Sequence, residues 1–156
     1  MSNKYFTFRV KDKGILQRHW HNEIEPAIMA AMPPTAYPDI DVSTNILKAI
    51  LDEQMQLWVI ARRLDGKLQI VAIGTTAFIY DGPSGLKNLS IYTLYGFNQI
   101  PPHALKDGLD KIREFAREHG CGRIFAFTER DRVREMFWSK IAGEGVSQLS
   151  VMVVEV

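Results

Sequence analysis

Little in this sequence announces a specialised class of protein. One cysteine, Cys121, in 156 residues rules out a disulfide within the chain and fits a reducing compartment. Neither sign of charge prevails, with 19 basic residues against 18 acidic and a net charge of +1. A chain so balanced has no long-range field to hold a polyanion, so nucleic acid is not expected as a partner. No apolar run approaches the ~18 residues that span a bilayer, and MSNKYFTFRV at the start lacks the apolar centre of a signal peptide. A cytoplasmic protein without membrane contact is therefore expected. Repeats, low-complexity tracts and linkers are also missing, which predicts a single domain over residues 1–156.

What the sequence does have is an ordinary globular balance, 46% apolar and 24% charged, at a length that can bury one sizeable core. Tyr5 to Val10 alternate and read as a strand. From Ile15, apolar residues recur at Leu16, Trp20, Ile24, Ile28 and Ala31 with a helical period, and Pro26 should kink or split that helix. Pro33 and Pro34 end it, and Thr35 to Val42 reads as a loop. Ser43 or Thr44 is the expected cap of a second helix, whose stripe is Ile46, Leu47, Ile50, Leu51 and Met55. The period then changes from 3.6 to 2. Leu57–Arg63, Leu68–Tyr80 and Leu89–Phe97 read as three strands of an antiparallel meander, turned at Asp65-Gly66 and Asp81–Gly85. Gly96 is the expected site of a bulge. Pro101-Pro102 opens a helix that ends at Gly120, and Arg123–Thr128 should return parallel to the preceding strand. A last helix, Val133–Ala142, and a last strand, Gln148–Val156, complete the order.

Strand, two helices, three meander strands, helix, strand, helix, strand resembles the order of elements in the GNAT acyltransferase superfamily. Particular runs sharpen the likeness. Gln56-Leu57-Trp58-Val59, the Asp65-Gly66 turn, Ala72-Ile73-Gly74-Thr75-Thr76 and Phe115–Cys121 look like a group of small GNAT-like proteins encoded by bacteriophages. The resemblance implies an α/β (α+β) fold with a mixed central sheet of six or seven strands, helices on both faces, and acetyl-CoA as cofactor where the family's chemistry is kept.

That chemistry depends on a loop of pattern Gln/Arg-x-x-Gly-x-Gly/Ala, whose backbone N–H groups and helix N-terminus hold the pyrophosphate. The corresponding run is Gln99-Ile100-Pro101-Pro102-His103-Ala104. Its ends agree, so Gln99, His103 and Ala104 are the candidate cofactor-binding residues. Its central glycine is Pro102, preceded by Pro101, and two prolines remove two donors from a site made of donors. Many members of the superfamily also protonate the leaving thiolate with a tyrosine on the last helix, where this chain has Trp138, whose indole supplies no acidic proton. Tyr92, Tyr95 and Ser139 are the remaining catalytic candidates, with packing or surface roles as the plainer account of each.

No metal site is expected. His19, His21, Glu23 and Glu25 have suitable chemistry, but two-residue spacing on a helix points them around the cylinder. Arg130, Arg132 and Arg134 alternate with acidic neighbours and read as a solvated helix face. Three functions are compatible with these residues. The first is a GNAT-fold protein without CoA chemistry that serves as a phage structural or assembly component among other protein chains, with no cofactor. The second is an acetyl-CoA-dependent N-acetyltransferase with an atypical loop. The third is a non-catalytic ligand-binding module.

Overall fold

The computed structural model describes residues 4–33, 41–126 and Val154. One sheet of five strands organises them, in the order β1-β2-β3-β4-β5. β1 (Tyr5–Val10), β2 (Met55–Leu64), β3 (Lys67–Asp81) and β4 (Leu86–Gly96) pair antiparallel in sequence order, and β5 (Ile124–Ala126) lies parallel to β4. The sheet is therefore mixed, as expected, with five strands among the described residues. The last helix and last strand anticipated from sequence lie outside them, as does any splay of β4 from β5 beyond Ala126.

Alternation along β2 decides the two faces. Leu57, Val59 and Ala61 point to one side, where they meet Leu16, Trp20, Ile28, Ile46 and Ile50 from the helices before β2. Ile60 points the other way, with Val71, Ala72 and Ile91, onto Leu105 and Leu109. Trp58 shares that second face and packs with Leu89, Phe115 and Ala116. Helices therefore cover both sides of the sheet, which is why the central strands carry almost no polar alternation.

The helical segment after β1 shows what Pro26 does. It begins as α1 (Lys13–His19), capped by Asp12, whose carboxylate accepts from Gly14 and Ile15 N–H. It widens into a π-turn at Trp20–Ile24 and resumes as α2 (Glu25–Ala30). A proline at position 26 has no N–H to give and crowds the carbonyl four residues back. The chain answers by letting Glu25 N–H reach five residues back, to the Trp20 carbonyl. Helix α3 (Val42–Leu51) is capped by Asp41, which accepts from Thr44 N–H at 3.2 Å. This corrects the expectation of Ser43 or Thr44 as the cap: Ser43 instead donates to the Asp41 carboxylate, and the longer reach of aspartate takes the helix end. Helix α4 (Pro102–Glu118) is the 17-residue crossover between β4 and β5. Gly120 closes it at φ 70°, with its N–H on the Arg117 carbonyl and Cys121 N–H on that of Ala116.

Candidate functional site

Two irregularities in β4 and the loop that follows it define the candidate site. Along β3 and β4 the register runs Thr75 to Thr93 and then Thr76 to Ile91, so Tyr92 is the extra residue of a β-bulge. The bulge lies at Tyr92 and not at Gly96, which is paired with Ala72 and closes the strand. A Cβ at Gly96 would stand 3.2 Å from Ile100 Cδ1 and 3.4 Å from the Asn98 carbonyl, so the glycine serves the tight turn into the loop.

The loop delivers the chain to α4 with few donors to spare. Pro101 is the N-cap residue, with extended backbone and no capping side chain, and Pro102 is the first helical residue. Ala104 N–H turns back onto the Pro101 carbonyl at 3.0 Å, and Leu105 N–H joins it at 3.3 Å. Of the first-turn donors, only His103 N–H is left without an acceptor among the described residues. The His103 ring turns away to β1, edge-on to Tyr5 with centroids 5.7 Å apart. Gln99 is exposed and Ala104 is buried against the sheet. A pyrophosphate seat needs several convergent N–H groups at close range, and residues 101–104 do not supply them. These residues do not fit the cofactor that the loop pattern implies.

Tyr92 and Tyr95 face the α1–α3 side, where both are half-buried against its core. Burial holds the Tyr92 phenol above its ordinary value. Tyr95 meets Phe97 edge-on, with centroids at 5.2 Å. Ser139 and Trp138 lie outside the described residues. Cys121 is no better placed for chemistry, since burial pushes its thiol up and only Lys87 opposes the effect. His19 and His21 pair with Glu23 and Glu25 along their own helix, at 3.1 and 3.6 Å. Among the described residues no cluster of ligands could hold a metal.

Sequence reasoning missed a buried polar chain on the opposite face. The Trp58 indole N–H donates to Thr76 Oγ1 at 2.9 Å, and the Thr76 hydroxyl donates to Gln56 Oε1 at 2.7 Å. Only Gln56 among the "QLWV" residues hinted at it, as a polar residue opening an apolar run. Next to the chain, between α4 and the sheet, is a cavity of about 40 Å³ lined by Thr7, Gly74, Thr76, Gly108 and apolar neighbours. It has room for a few waters at most and none for a substrate.

A mixed sheet with a bulged fourth strand, a crossover helix and helices on both faces is the architecture of the GNAT acetyltransferases. Solved structures agree. The chain is similar to a GNAT family acetyltransferase of Staphylococcus aureus, at 12% identity and a TM-score of 0.62, over 97% of this chain and 98% of that one. It is similar to an aminoglycoside acetyltransferase from an uncultured soil metagenomic sample, solved with sisomicin, at 17% identity and a TM-score of 0.67, over 97% and 95%. Glucosamine-6-phosphate N-acetyltransferase from Arabidopsis thaliana matches at 11% identity and a TM-score of 0.64, over 98% of each chain. At such identities the likeness is one of fold. No family model matches the chain, and no curated protein matches it. No helix among the described residues is long and apolar enough to cross a membrane.

Proposed function

We propose that this chain is a non-catalytic GNAT-fold protein that works through contacts with other protein chains and does not transfer acetyl groups. One observation carries the reading. The α4 N-terminus, where this fold would seat a pyrophosphate, begins Pro101-Pro102 and leaves a single first-turn N–H, that of His103. Each missing charge-assisted hydrogen bond costs about 1.5–3 kcal/mol, so two missing donors amount to about 3–6 kcal/mol. At roughly 1.4 kcal/mol per tenfold, a micromolar site becomes millimolar or weaker. The resemblance of Gln56–Val59 and Phe115–Cys121 to small phage-encoded proteins supports a structural or assembly role in a virus particle. The compartment that goes with it is the host cytoplasm or the virion.

Titration calorimetry with acetyl-CoA tests this directly. The expected result is no saturation below about 1 mM, with no thiol released above background when amines are supplied. Pro102→Gly alone is expected to restore no activity, because Trp138 still offers the thiolate no acid. A functional partner would bury about 1,000 Å² or more in total, which sedimentation or native mass spectrometry of co-expressed chains would detect.

The bulge at Tyr92, which sets a half-buried phenol in β4, favours a second reading as an acetyltransferase with an atypical loop. Micromolar affinity for acetyl-CoA in the unmodified protein would establish that reading and remove the first. Gln99, His103 and Ala104 would then be the loop contacts, and Tyr92, Tyr95 and Ser139 the residues to replace first.

A further inference from the structure

β1 ends the sheet on one side, and β2 is its sole partner strand among the described residues. Alternate residues along it therefore turn their N–H and C=O outward with no strand to meet them. Edges of this kind are ordinarily protected by a proline, a bulge or a charge projecting from the strand. β1, Tyr-Phe-Thr-Phe-Arg-Val, has no proline, and its register runs unbroken from Tyr5 opposite Arg62 to Val10 opposite Leu57. Its one charged residue, Arg9, is half-buried and drawn in over the Phe115 ring of α4, 4.9 Å from the centroid. The edge is left open.

The side chains say what fits against it. Phe6, Phe8 and Val10 share the α1–α3 face of the strand, where Val10 is buried and Phe6 packs on the core. Phe8, between them, is 37% exposed. Charge follows at the two ends. Lys4 stands just before β1 and Asp12 just after Lys11, all three exposed, and the backbone is still extended at Asp12, with φ −77° and ψ 117°. Among the described residues Lys4 has no carboxylate within 4.0 Å. Asp12 caps α1 through its Oδ1, which leaves Oδ2 for a cation. The edge thus reads cation, apolar centre, anion, and such a row matches itself when it is turned end for end.

We propose that β1 pairs antiparallel with β1 of a second copy of this chain, about a two-fold axis at Phe8, and joins the two sheets into one. In that register Phe8 meets its own counterpart, Phe6 meets Val10, and Lys4 meets Asp12 at both ends. Tyr5 falls opposite Lys11 and Thr7 opposite Arg9, so no like charges face each other. An axis at Thr7 would set Lys4 opposite Val10 and leave Asp12 without a cation. Six residues make a short seam, so the dimer is one that comes apart on dilution. It forms or fails to form whatever the α4 N-terminus binds.

Sedimentation equilibrium of the full chain over a series of concentrations tests this, with amide hydrogen exchange at the lowest and highest. A monomer–dimer equilibrium is expected, and raising the concentration should slow exchange at alternate amides of Tyr5–Val10. Phe8→Lys sets two like charges against each other on the axis and should weaken the dimer about tenfold or more. Lys4→Glu sets a carboxylate against Asp12 at both ends and should weaken it about threefold or more at low salt. The Lys4 side chain is exposed, so this second variant decides the matter if F8K does not fold. Three outcomes overturn the proposal: a monomer at every concentration, which would leave the edge to an unlike chain, a dimer whose exchange protection lies away from β1, or a dimer as tight in K4E as in the parent.

Discussion

At Thr76 one hydroxyl serves two buried partners, the Trp58 indole and the Gln56 carboxamide. Thr76→Val keeps the shape and strands both partners, so it should cost about 2–6 kcal/mol in urea unfolding, at about 1–3 kcal/mol for each orphan. Thr76→Ser keeps the hydroxyl and should lose only about 1 kcal/mol for the missing methyl. Equal losses for the two variants would show that packing, not the hydrogen-bond chain, is what matters there. Tyr92 makes a prediction in pH. Burial raises its pKa in the folded state, so the native state favours the protonated phenol. Stability from this source is intact below about pH 10, the ordinary tyrosine value, and falls as pH rises through the folded-state value. Tyr92→Phe should lose less stability than the parent between about pH 9 and 11, read from denaturant midpoints. Parallel pH curves for the two proteins would contradict the assignment. None of these couplings was legible in the sequence, where Gln56, Trp58 and Thr76 are simply three residues on two strands.

Two helices end in the same way with different residues, and the comparison gives the prediction at this scale. After α4, Gly120 sits at φ 70°; after α3, Glu53 sits at φ 59°. Both make the same pair of closing bonds. Gly120 and Cys121 N–H reach Arg117 and Ala116, while Glu53 and Gln54 N–H reach Ile50 and Ala49. A side chain in the left-handed region costs about 1–2 kcal/mol that glycine avoids. Glu53→Gly should therefore stabilise by about 1 kcal/mol, and Gly120→Ala should destabilise by a similar amount, measured as shifts in chemical denaturation. The end of α4 was legible because glycine stood at it. The end of α3 was not, since nothing in Leu51-Asp52-Glu53-Gln54 announces a positive φ. Pro26 was a legible break in the first helix, but its form, a π-turn placed before the proline, depends on how Trp20 and Ile24 are buried on either side of it.

Across the whole molecule, β2 is the element on which both layers of helix close, and Leu57 is the largest of its side chains on the α1–α3 face with no exposed surface. Leu57→Ala should cost about 2–5 kcal/mol through the cavity it leaves, detectable in thermal or urea unfolding. A loss typical of a surface site, under about 0.5 kcal/mol, would mean that this face is not the main core. The same geometry separates what was determined by the chain from what was decided by the fold. The order and type of the elements up to β5, the two faces of the sheet, the hairpin at Asp65-Gly66 and the parallel return after α4 all follow from local periodicity and turn chemistry, which act over a few residues. So does the shortage of donors at α4, because proline lacks its N–H wherever it is placed. The bulge at Tyr92 depends instead on the register in which β3 and β4 pair, and sequence alone pointed to the wrong residue. The Trp58–Thr76–Gln56 chain joins residues 18 and 20 positions apart on two strands. Only tertiary packing brings such groups together, because the hydrogen bonds and burial that select their geometry exist in the folded state alone.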